Sequence, residues 1–296
     1  MTKKIFVSGL INIETSLKVD SFPINYSPIE YPFYGINSCV SGVGYNIVKA
    51  LQTLGDELDF YSFVGDDLNG ETILENLRSS KIPTNNIIVD NKIETAASVV
   101  LVDQNGKRKI YCDLKNLQEK ARLNNESISA SDYSLAILTN INFNRELPGF
   151  FRKNGIKIAT DVHVLNNLDD DYNRDFLKNA DILFLSNEAV IGKEESFLKE
   201  LYERYHNEII VMGCGDKGAL MYIGGQDLLY HEPAVAPRGI ESTIGAGDAL
   251  FSSFIHLYNK GYDLNTCLKK AVLFAGMKIS CSGGSNGFVK EEELWK

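Results

Sequence analysis

The segment with the clearest chemical potential runs from Ser242 to Asp248 and reads Ser-Thr-Ile-Gly-Ala-Gly-Asp. The residues that follow it, from Ala249 to Tyr258, place apolar side chains at helical spacing, and Gly261 is a stop signal behind them. The glycines therefore lie where the chain enters a helix. Because the first amides of a helix have no partner within it and carry partial positive charge, small residues here leave room for an anion.

An acidic residue at the edge of an anion site has two interpretations. In the first, Asp248 accepts a proton from a substrate hydroxyl while the amides of residues 245–247 hold the phosphoryl group under attack. On this interpretation the helix terminus lowers the pKa of Asp248 and keeps the carboxylate ionised. In the second, Asp248 caps an ordinary glycine-rich helix start. The segment alone leaves both interpretations open.

The elements that would position this segment alternate along the chain. Continuous apolar runs of strand length recur, as is typical of strands buried on both faces. They are Ile5 to Val7, Leu58 to Phe63, Leu135 to Leu138, Ile156 to Ala159, Ile182 to Leu185 and Ile209 to Met212. Amphipathic stretches lie between them, one closed by Gly55 and one by Gly155. This order predicts an α/β fold with a mostly parallel sheet flanked by helices.

Two segments break this rhythm. Residues 13–38 are rich in Pro, Tyr and β-branched residues, and residues 95–112 contain two β-like runs around Asn105-Gly106. An Asn-Gly pair is a strong hairpin signal, because both central positions of a type I′ turn need positive φ. We expect the two segments to pair into a small accessory sheet.

Composition restricts the class of protein and its partners. The chain has 296 residues, of which 44% are hydrophobic and 23% charged, as in an ordinary globular protein. The net charge of -9 argues against nucleic acid, and the basic stretch at residues 107–109 is interpreted as solvated strand ends. No apolar run reaches membrane-spanning length, and the five cysteines show neither disulfide nor metal spacing. We therefore expect a cytoplasmic protein with no membrane or nucleic-acid partner.

Gly-Ala-Gly-Asp at the start of a late helix resembles the signature of the PfkB (ribokinase-like) family of carbohydrate and nucleoside kinases. Two further matches lie upstream in the family's order: residues 41–46 (Ser-Gly-Val-Gly-Tyr-Asn) and residues 64–70 (Val-Gly-Asp-Asp-Leu-Asn-Gly). Residues 9–14 resemble the family's first strand and substrate loop, Asp161 its strand-end Asp, and residues 215–218 its nucleotide-side turn. The resemblance spans nearly the whole chain.

The resemblance implies an ATP-dependent phosphotransferase that acts on a hydroxymethyl group of a sugar or nucleoside, with Mg²⁺ bridging the ATP phosphates. The implied site residues are Asp248 as catalytic base; Gly245, Ala246 and Gly247 as the anion hole; Asn12, Glu14, Gly42 and Asn46 on the substrate; and Asn187, Gly215, Lys217, Gly218 and Thr243 on the ATP side. No metal ligand is assigned.

The implied fold is a three-layer α/β/α sandwich that forms one domain over residues 1–296. The two irregular segments, about 13–38 and 95–112, would form a β lid that excludes water on closing. A homodimer through the lids is implied as well. The aromatic residues of the lid are accordingly predicted to pack or to form dimer contacts; they are Tyr26, Tyr31, Phe33 and Tyr34.

The chain departs from the family pattern on the ATP side. The family's Asn-x-x-Glu, which helps to organise magnesium and phosphate, reads Asn-Glu-Ala-Val at residues 187–190, so Val190 replaces the carboxylate. Glu188 could substitute for it only if the backbone turned differently. A monovalent-cation site is left unassigned, because Gly213 and Ser242 depart from the family pattern there. We expect the substrate pocket to be reshaped, because Glu14 and Tyr45 depart from the pattern as well.

Two other functions remain open. Residues 213–218 match GxGxxG after a β-run, as in an NAD-dependent oxidoreductase, but that fingerprint needs a helix next and a short β-run follows here. Alternatively, the lost carboxylate at Val190 would leave a non-catalytic sugar- or nucleoside-binding regulator of the same fold. The retained Asp248 favours the kinase, because a pure binder gains nothing from a carboxylate beside an anion hole.

Overall fold

The computed structural model describes residues 3–104 and 106–296. Their strands are β1 (Lys4–Ser8), β2 (Asn12–Lys18), β3 (Ile36–Ser41), β4 (Leu58–Gly65), β5 (Ile87–Asp90), β6 (Ala97–Val102), β7 (Arg108–Asp113), β8 (Tyr133–Leu138), β9 (Lys157–Val164), β10 (Ile182–Ser186), β11 (Ile209–Gly213), β12 (Ala219–Ile223) and β13 (Leu228–Glu232). Their α-helices are α1 (Val43–Leu54), α2 (Leu68–Ser79), α3 (Leu117–Lys120), α4 (Leu147–Lys153), α5 (Arg174–Asn179), α6 (Glu194–Tyr205), α7 (Ala246–Asn259) and α8 (Leu264–Lys278).

Within the described ranges, nine strands form a large sheet in the order β13-β12-β11-β10-β9-β8-β1-β4-β5. The strands from β11 to β5 in this order are parallel to their neighbours, whereas β12 and β13 are antiparallel. The six apolar runs of the sequence fall in β1, β4, β8, β9, β10 and β11, with only Ile156 lying one residue before its strand. The prediction of a mostly parallel sheet is confirmed.

Helices cover both faces of the large sheet. On one face α1, α7 and α8 bury residues such as Val48, Phe251 and Ala271 against the strands. On the other face α4 buries Phe151, and α5 and α6 bury their own apolar residues. The three-layer prediction is confirmed. In the part of the chain that is described, none of the helices has the length and apolar character needed to span a bilayer.

The two irregular segments supply a second, small sheet. Among the described residues it has four strands in the order β3-β2-β6-β7, and β2 and β6 are parallel. Pairing places Glu14 beside Cys39 and Ser98, and Ser98 opposite Cys112. Since side chains alternate between faces along a strand, these four residues share one face. At the β6–β7 turn Gly106 has φ 78°, while Asn105 of the predicted hairpin lies outside the described residues.

Close backbone contacts bring the entrance of α1 to the end of β1. A Cβ atom on Gly44 would lie 2.5 Å from the carbonyl carbon of Gly9. Gly42 caps α1 with φ 107°, and a Cβ atom there would lie 2.6 Å from the carbonyl oxygen of Leu10. Only glycine fits at these two positions, so the loop after β1 and the start of α1 form one unit beside the small sheet.

Candidate active site

The N-terminus of α7 has the geometry of an anion pocket. Gly245 has φ 77°, and a Cβ atom there would lie 2.3 Å from the carbonyl oxygen of Gly284. Gly247 is different, because a Cβ atom on it would meet no heavy atom of the described residues within 4 Å apart from its chain neighbours and the backbone of its own helix. Gly245 therefore permits close backbone packing, whereas Gly247 faces open space.

Backbone amides at this helix start are left without partners. The N–H of Ala246 donates to the carbonyl oxygen of Thr243 at 3.2 Å, and that of Ala249 donates to Gly245 at 2.9 Å. For the N–H groups of Gly247 and Asp248, no backbone acceptor is found among the described residues. Unpaired donors beside open space favour an anion.

Asp248 is held by one oxygen and has the other available. Its Oδ2 accepts a hydrogen bond from Asn46 Nδ2 at 2.7 Å, and the described residues provide no hydrogen bond to Oδ1. Burial raises the pKa of Asp248 to about 6, while the Asn46 hydrogen bond and the charge of Lys278 act in the opposite direction. The prediction that the helix terminus lowers this pKa is wrong, because desolvation of the carboxylate outweighs the favourable groups around it.

A chain of polar contacts joins Asp248 to the small sheet. Ser41 Oγ donates to Glu14 Oε2 at 3.1 Å and lies 3.4 Å from Asn46 Oδ1. Asn46 in turn holds Asp248. Burial also raises the pKa of Glu14, against the Ser41 hydrogen bond. The structure thus brings Glu14 and Asn46, both predicted substrate residues, into one network with the predicted base.

Asn12 adds an unused acceptor to this region. Its Nδ2 donates to Ser98 Oγ at 3.1 Å, but its buried Oδ1 has no hydrogen-bond partner within the described residues. An unsatisfied buried carbonyl oxygen costs about 1–3 kcal/mol. A ligand hydroxyl could remove that cost, and Asn12 begins β2, the strand that carries Glu14.

The predicted ATP-side residues fall in two places. Asn187 starts a single 3₁₀ turn after β10, and its Nδ2 donates to Glu194 Oε1 at 3.0 Å. Val190, at the position where the carboxylate was expected, is buried in the core. Sequence reasoning missed Glu194, although an acidic residue in the first turn of α6 is a visible signal. A helix-start amide and Asn187 lower the pKa of Glu194.

The second place is the turn between β11 and β12. Gly215 and Gly218 have φ of 57° and 96°, and a Cβ atom on Gly218 would lie 2.0 Å from the carbonyl oxygen of Glu232. Lys217 is exposed, and its charge acts on Glu194. The antiparallel strand β12 follows the turn directly. The helix that a dinucleotide fingerprint requires is therefore missing at this turn.

Arg108 crosses from the small sheet to the anion pocket. Its Nη1 donates to the carbonyl oxygen of Thr243 at 2.9 Å, and its Nη2 lies 3.9 Å from Glu188 Oε1. The interpretation of residues 107–109 as solvated strand ends missed this contact. The strand register indicates this contact. Arg108 lies four residues from Cys112 along β7, so its side chain is on the face that carries Glu14.

The acidic residues around Asn187 fit the role of a magnesium partner. Within the described residues no group of three or more His, Cys, Asp or Glu side chains could hold a metal ion by itself. Mg²⁺ at phosphate sites commonly uses one or two carboxylates together with phosphate oxygens and water. Glu188 and Glu194 flank Val190, which stands where the family has a carboxylate. Together they could supply the one or two carboxylates that Mg²⁺ needs at a phosphate site.

Comparison with known proteins identifies the family of this chain. Residues 2–291 match the model of the pfkB family carbohydrate kinases, and the chain belongs to that family. The predictions of a PfkB-type carbohydrate kinase and of a ribokinase-like fold are confirmed. The membership decides against the NAD-dependent oxidoreductase.

Individual relatives are distant but extend over nearly the full length. Deoxyribokinase of Salmonella typhi is 24% identical over 98% of this chain and 97% of its own. Acarbose 7(IV)-phosphotransferase of an Actinoplanes species is 25% identical over 90% of this chain and 88% of its own. The structure of a microbiome-derived acarbose kinase superposes with a TM-score of 0.88 at 20% identity, covering 100% of this chain and 98% of that one.

We expect the two glycines of the anion pocket to respond differently to alanine. Gly245→Ala should lower the free energy of unfolding by about 1–3 kcal/mol or more, because it adds positive-φ strain and a clash with Gly284. Gly247→Ala should leave it unchanged or raise it by up to about 1 kcal/mol, since its new methyl group meets open space in a helix. Denaturant unfolding of both variants measures the difference, and equal effects would contradict the assignment.

Proposed function

We propose that the protein transfers the γ-phosphoryl group of ATP to a hydroxymethyl group of a sugar, with Asp248 as the catalytic base; a nucleoside is the second substrate class to test. One observation carries the proposal. The free Oδ1 of Asp248 lies on the same helical turn as the unpartnered amide and the open space of Gly247. A proton acceptor and an anion pocket are thus adjacent, as phosphoryl transfer to an alcohol requires.

Each group at the helix start has one role in the reaction. Asp248 Oδ1 accepts the proton of the attacking hydroxyl, and Asn46 keeps the carboxylate in one orientation through Oδ2. The N–H groups of residues 245–247 face the negative charge on the transferred phosphoryl group. The N–H of Ala246 also donates to the carbonyl oxygen of Thr243. The reaction needs positioning and charge stabilisation more than a strong base, which a well-aimed carboxylate supplies.

The remaining site residues bind the two substrates. On the side that would receive the sugar lie Asn12, Glu14, Gly42 and Asn46, where Glu14 and the unpaired Asn12 Oδ1 would accept hydrogen bonds from sugar hydroxyls. Asn187, Gly215, Lys217, Gly218 and Thr243 lie on the side that receives ATP. Glu188 and Glu194 are the carboxylates that would hold Mg²⁺, which would supply positive charge to neutralise the ATP phosphates.

The names of the relatives support a sugar as the acceptor. Deoxyribokinase is named for a pentose, and acarbose kinases are named for a larger carbohydrate. The small sheet supports a lid role, because Arg108 already connects it to Thr243 beside the anion pocket. Closure of this lid over the sugar would keep water from the phosphoryl group. A cytoplasmic location, where ATP is available, completes the proposal.

Magnesium-ATP turnover across pentoses, hexoses, their monophosphates and nucleosides tests the function. We expect phosphorylated product with at least one sugar, and Asp248→Asn should lower kcat by about 10²–10⁴-fold because it removes the proton acceptor. Asp171→Asn, which changes an exposed carboxylate outside the site, is the matched control. Tight sugar binding without product across the panel would instead indicate the non-catalytic regulator.

We expect turnover to depend on pH through Asp248. The carboxylate works as a base only when ionised, and its pKa is raised to about 6. As the pH falls below about 6, kcat/KM should therefore fall by about tenfold per pH unit, and it should be level just above that value. The pH profile of kcat/KM measures this limb. An acidic limb that persisted unchanged in Asp248→Asn would assign it to another group.

We further propose that two copies of this chain associate through the small sheet. The segment between β2 and β3 exposes aromatic side chains almost completely: Tyr26 (92%), Tyr31 (73%), Phe33 (85%) and Tyr34 (101%). Tyr31 and Phe33 stack on each other with 6.3 Å between their ring centroids, but this contact leaves all four side chains exposed. Exposed apolar area of this kind marks an interaction surface, and a second copy is the partner that the family resemblance implies.

Replacing Phe33 and Tyr34 by Asp should abolish the dimer. Analytical ultracentrifugation should give twice the chain mass for the wild type and the single chain mass for the double variant, because a charged residue at the centre of an apolar contact is costly. Leu68→Asp, at an equally exposed apolar residue on α2, should remain dimeric. A monomeric wild type would contradict the proposal.

A further inference from the structure

A buried lysine lies behind the anion pocket. Lys278 is the last residue of α8, and its side chain has an exposed fraction of 0%. Its Nζ donates to the carbonyl oxygens of Ile244 and of Gly283, the latter at 2.7 Å. Burying an ammonium group is costly, and two neutral carbonyls compensate for the lost hydration only in part. A site that keeps this charge buried calls for a reason beyond packing.

The two carbonyls belong to the two backbone segments that form the wall of the pocket. Ile244 directly precedes Gly245, and Gly283 directly precedes Gly284, whose carbonyl oxygen restricts Gly245. The same helix end holds the loop at a second point, because the N–H groups of Glu241 and Ser242 donate to the carbonyl oxygen of Ile279 at 2.8 and 3.1 Å. Lys278 therefore connects the segment that enters α7 to the loop after α8.

Peptide geometry gives this connection a direction. In a trans peptide the C=O of one residue and the N–H of the next point to opposite sides. When the carbonyl oxygen of Ile244 is bound by Lys278, the N–H of Gly245 must point the other way. The ammonium group thus fixes the orientation of the first amide of the pocket and places a full positive charge behind it.

We propose that Lys278 is a positioning residue of the phosphoryl-transfer site: it serves as a built-in monovalent cation that orients the anion pocket and supports its positive potential. This inference rests on the proposed function. It makes a specific claim about the space that the ammonium group occupies. Two carbonyl oxygens converge there, so a small free cation could take the place of the ammonium group once the side chain is removed.

The charges around Lys278 determine how it titrates. Burial lowers the pKa of Lys278 to about 8, and Arg108 from β7 acts in the same direction. Asp248 on α7, Glu14 on β2 and Cys281 beyond α8 raise it. A lysine is charged below its pKa and neutral above it. Turnover should therefore decline as the pH rises through about 8, which adds an alkaline limb to the acidic limb of Asp248.

Lys278→Met removes the charge and keeps the volume. We expect kcat to fall by about a hundredfold, as for the loss of one oxyanion-hole donor, with little change in KM for the sugar. The alkaline limb should vanish, and the acidic limb should move to higher pH because Lys278 lowers the pKa of Asp248. Lys270→Met is the control: that lysine is on the same helix and donates to the carbonyl oxygen of Leu294, outside the site.

Lys278→Ala tests the claim about the vacated space. Added ammonium or potassium ions should restore at least about a tenfold gain in kcat to this variant, since a cation can enter the cavity that the side chain leaves. The wild type should not respond to these ions, and Lys278→Met should not either, because its side chain fills the space. Thermal unfolding of all variants verifies that they fold.

Ligand binding separates failure of this inference from failure of the proposed function. Calorimetry should show weaker binding of ADP with inorganic phosphate to Lys278→Met than to the wild type, even if no sugar of the panel is phosphorylated. Absence of turnover in the wild type would thus reject the function alone. Wild-type turnover, pH profile and ADP-phosphate affinity in Lys278→Met would overturn the role of Lys278.

Discussion

The whole site depends on one close backbone contact, between the turn that enters α7 and the loop after α8. Gly245 and Gly284 approach each other so closely that a single Cβ atom on the first would collide with the carbonyl oxygen of the second. This contact starts α7 at a fixed point. The fixed start leaves the N–H groups of Gly247 and Asp248 without a backbone acceptor among the described residues and directs Asp248 to Asn46. Side chains at these glycines would separate the segments and remove the pocket.

Burial around this contact brings the pKa values of an aspartate and a lysine closer together. Desolvation raises the pKa of Asp248 and lowers that of Lys278, although the two charges attract and each opposes the shift of the other. Desolvation wins because both groups are withdrawn from water and their hydrogen bonds go largely to neutral partners. The result is a carboxyl group with a pKa of about 6 beside an ammonium group with a pKa of about 8.

The small sheet combines two tasks. The face that carries Glu14 and Asn12 joins the predicted sugar site, and Arg108 reaches Thr243 on the predicted ATP side. The small sheet would thus contact the proposed positions of both substrates. Any displacement of the sheet would change sugar contacts and pocket contacts together, which is the behaviour expected of a lid that commits both substrates at once.

The sequence by itself determined the elements and the family. Buried parallel strands appear as continuous apolar runs, helix ends carry glycine, and the Gly-Ala-Gly-Asp segment resembles the family signature at a helix start; all are local patterns in the chain. The nine-stranded order within the described residues and the kinase family agree with these predictions.

Only the tertiary structure decided which distant groups meet. Lys278 is 34 residues from Ile244, and Arg108 is 135 residues from Thr243. In the sequence the first is an ordinary lysine at a helix end and the second an ordinary basic residue near a turn. The pKa of Asp248 was predicted in the wrong direction for the same reason. Desolvation depends on everything packed around a group, and no local pattern in the chain encodes that surrounding.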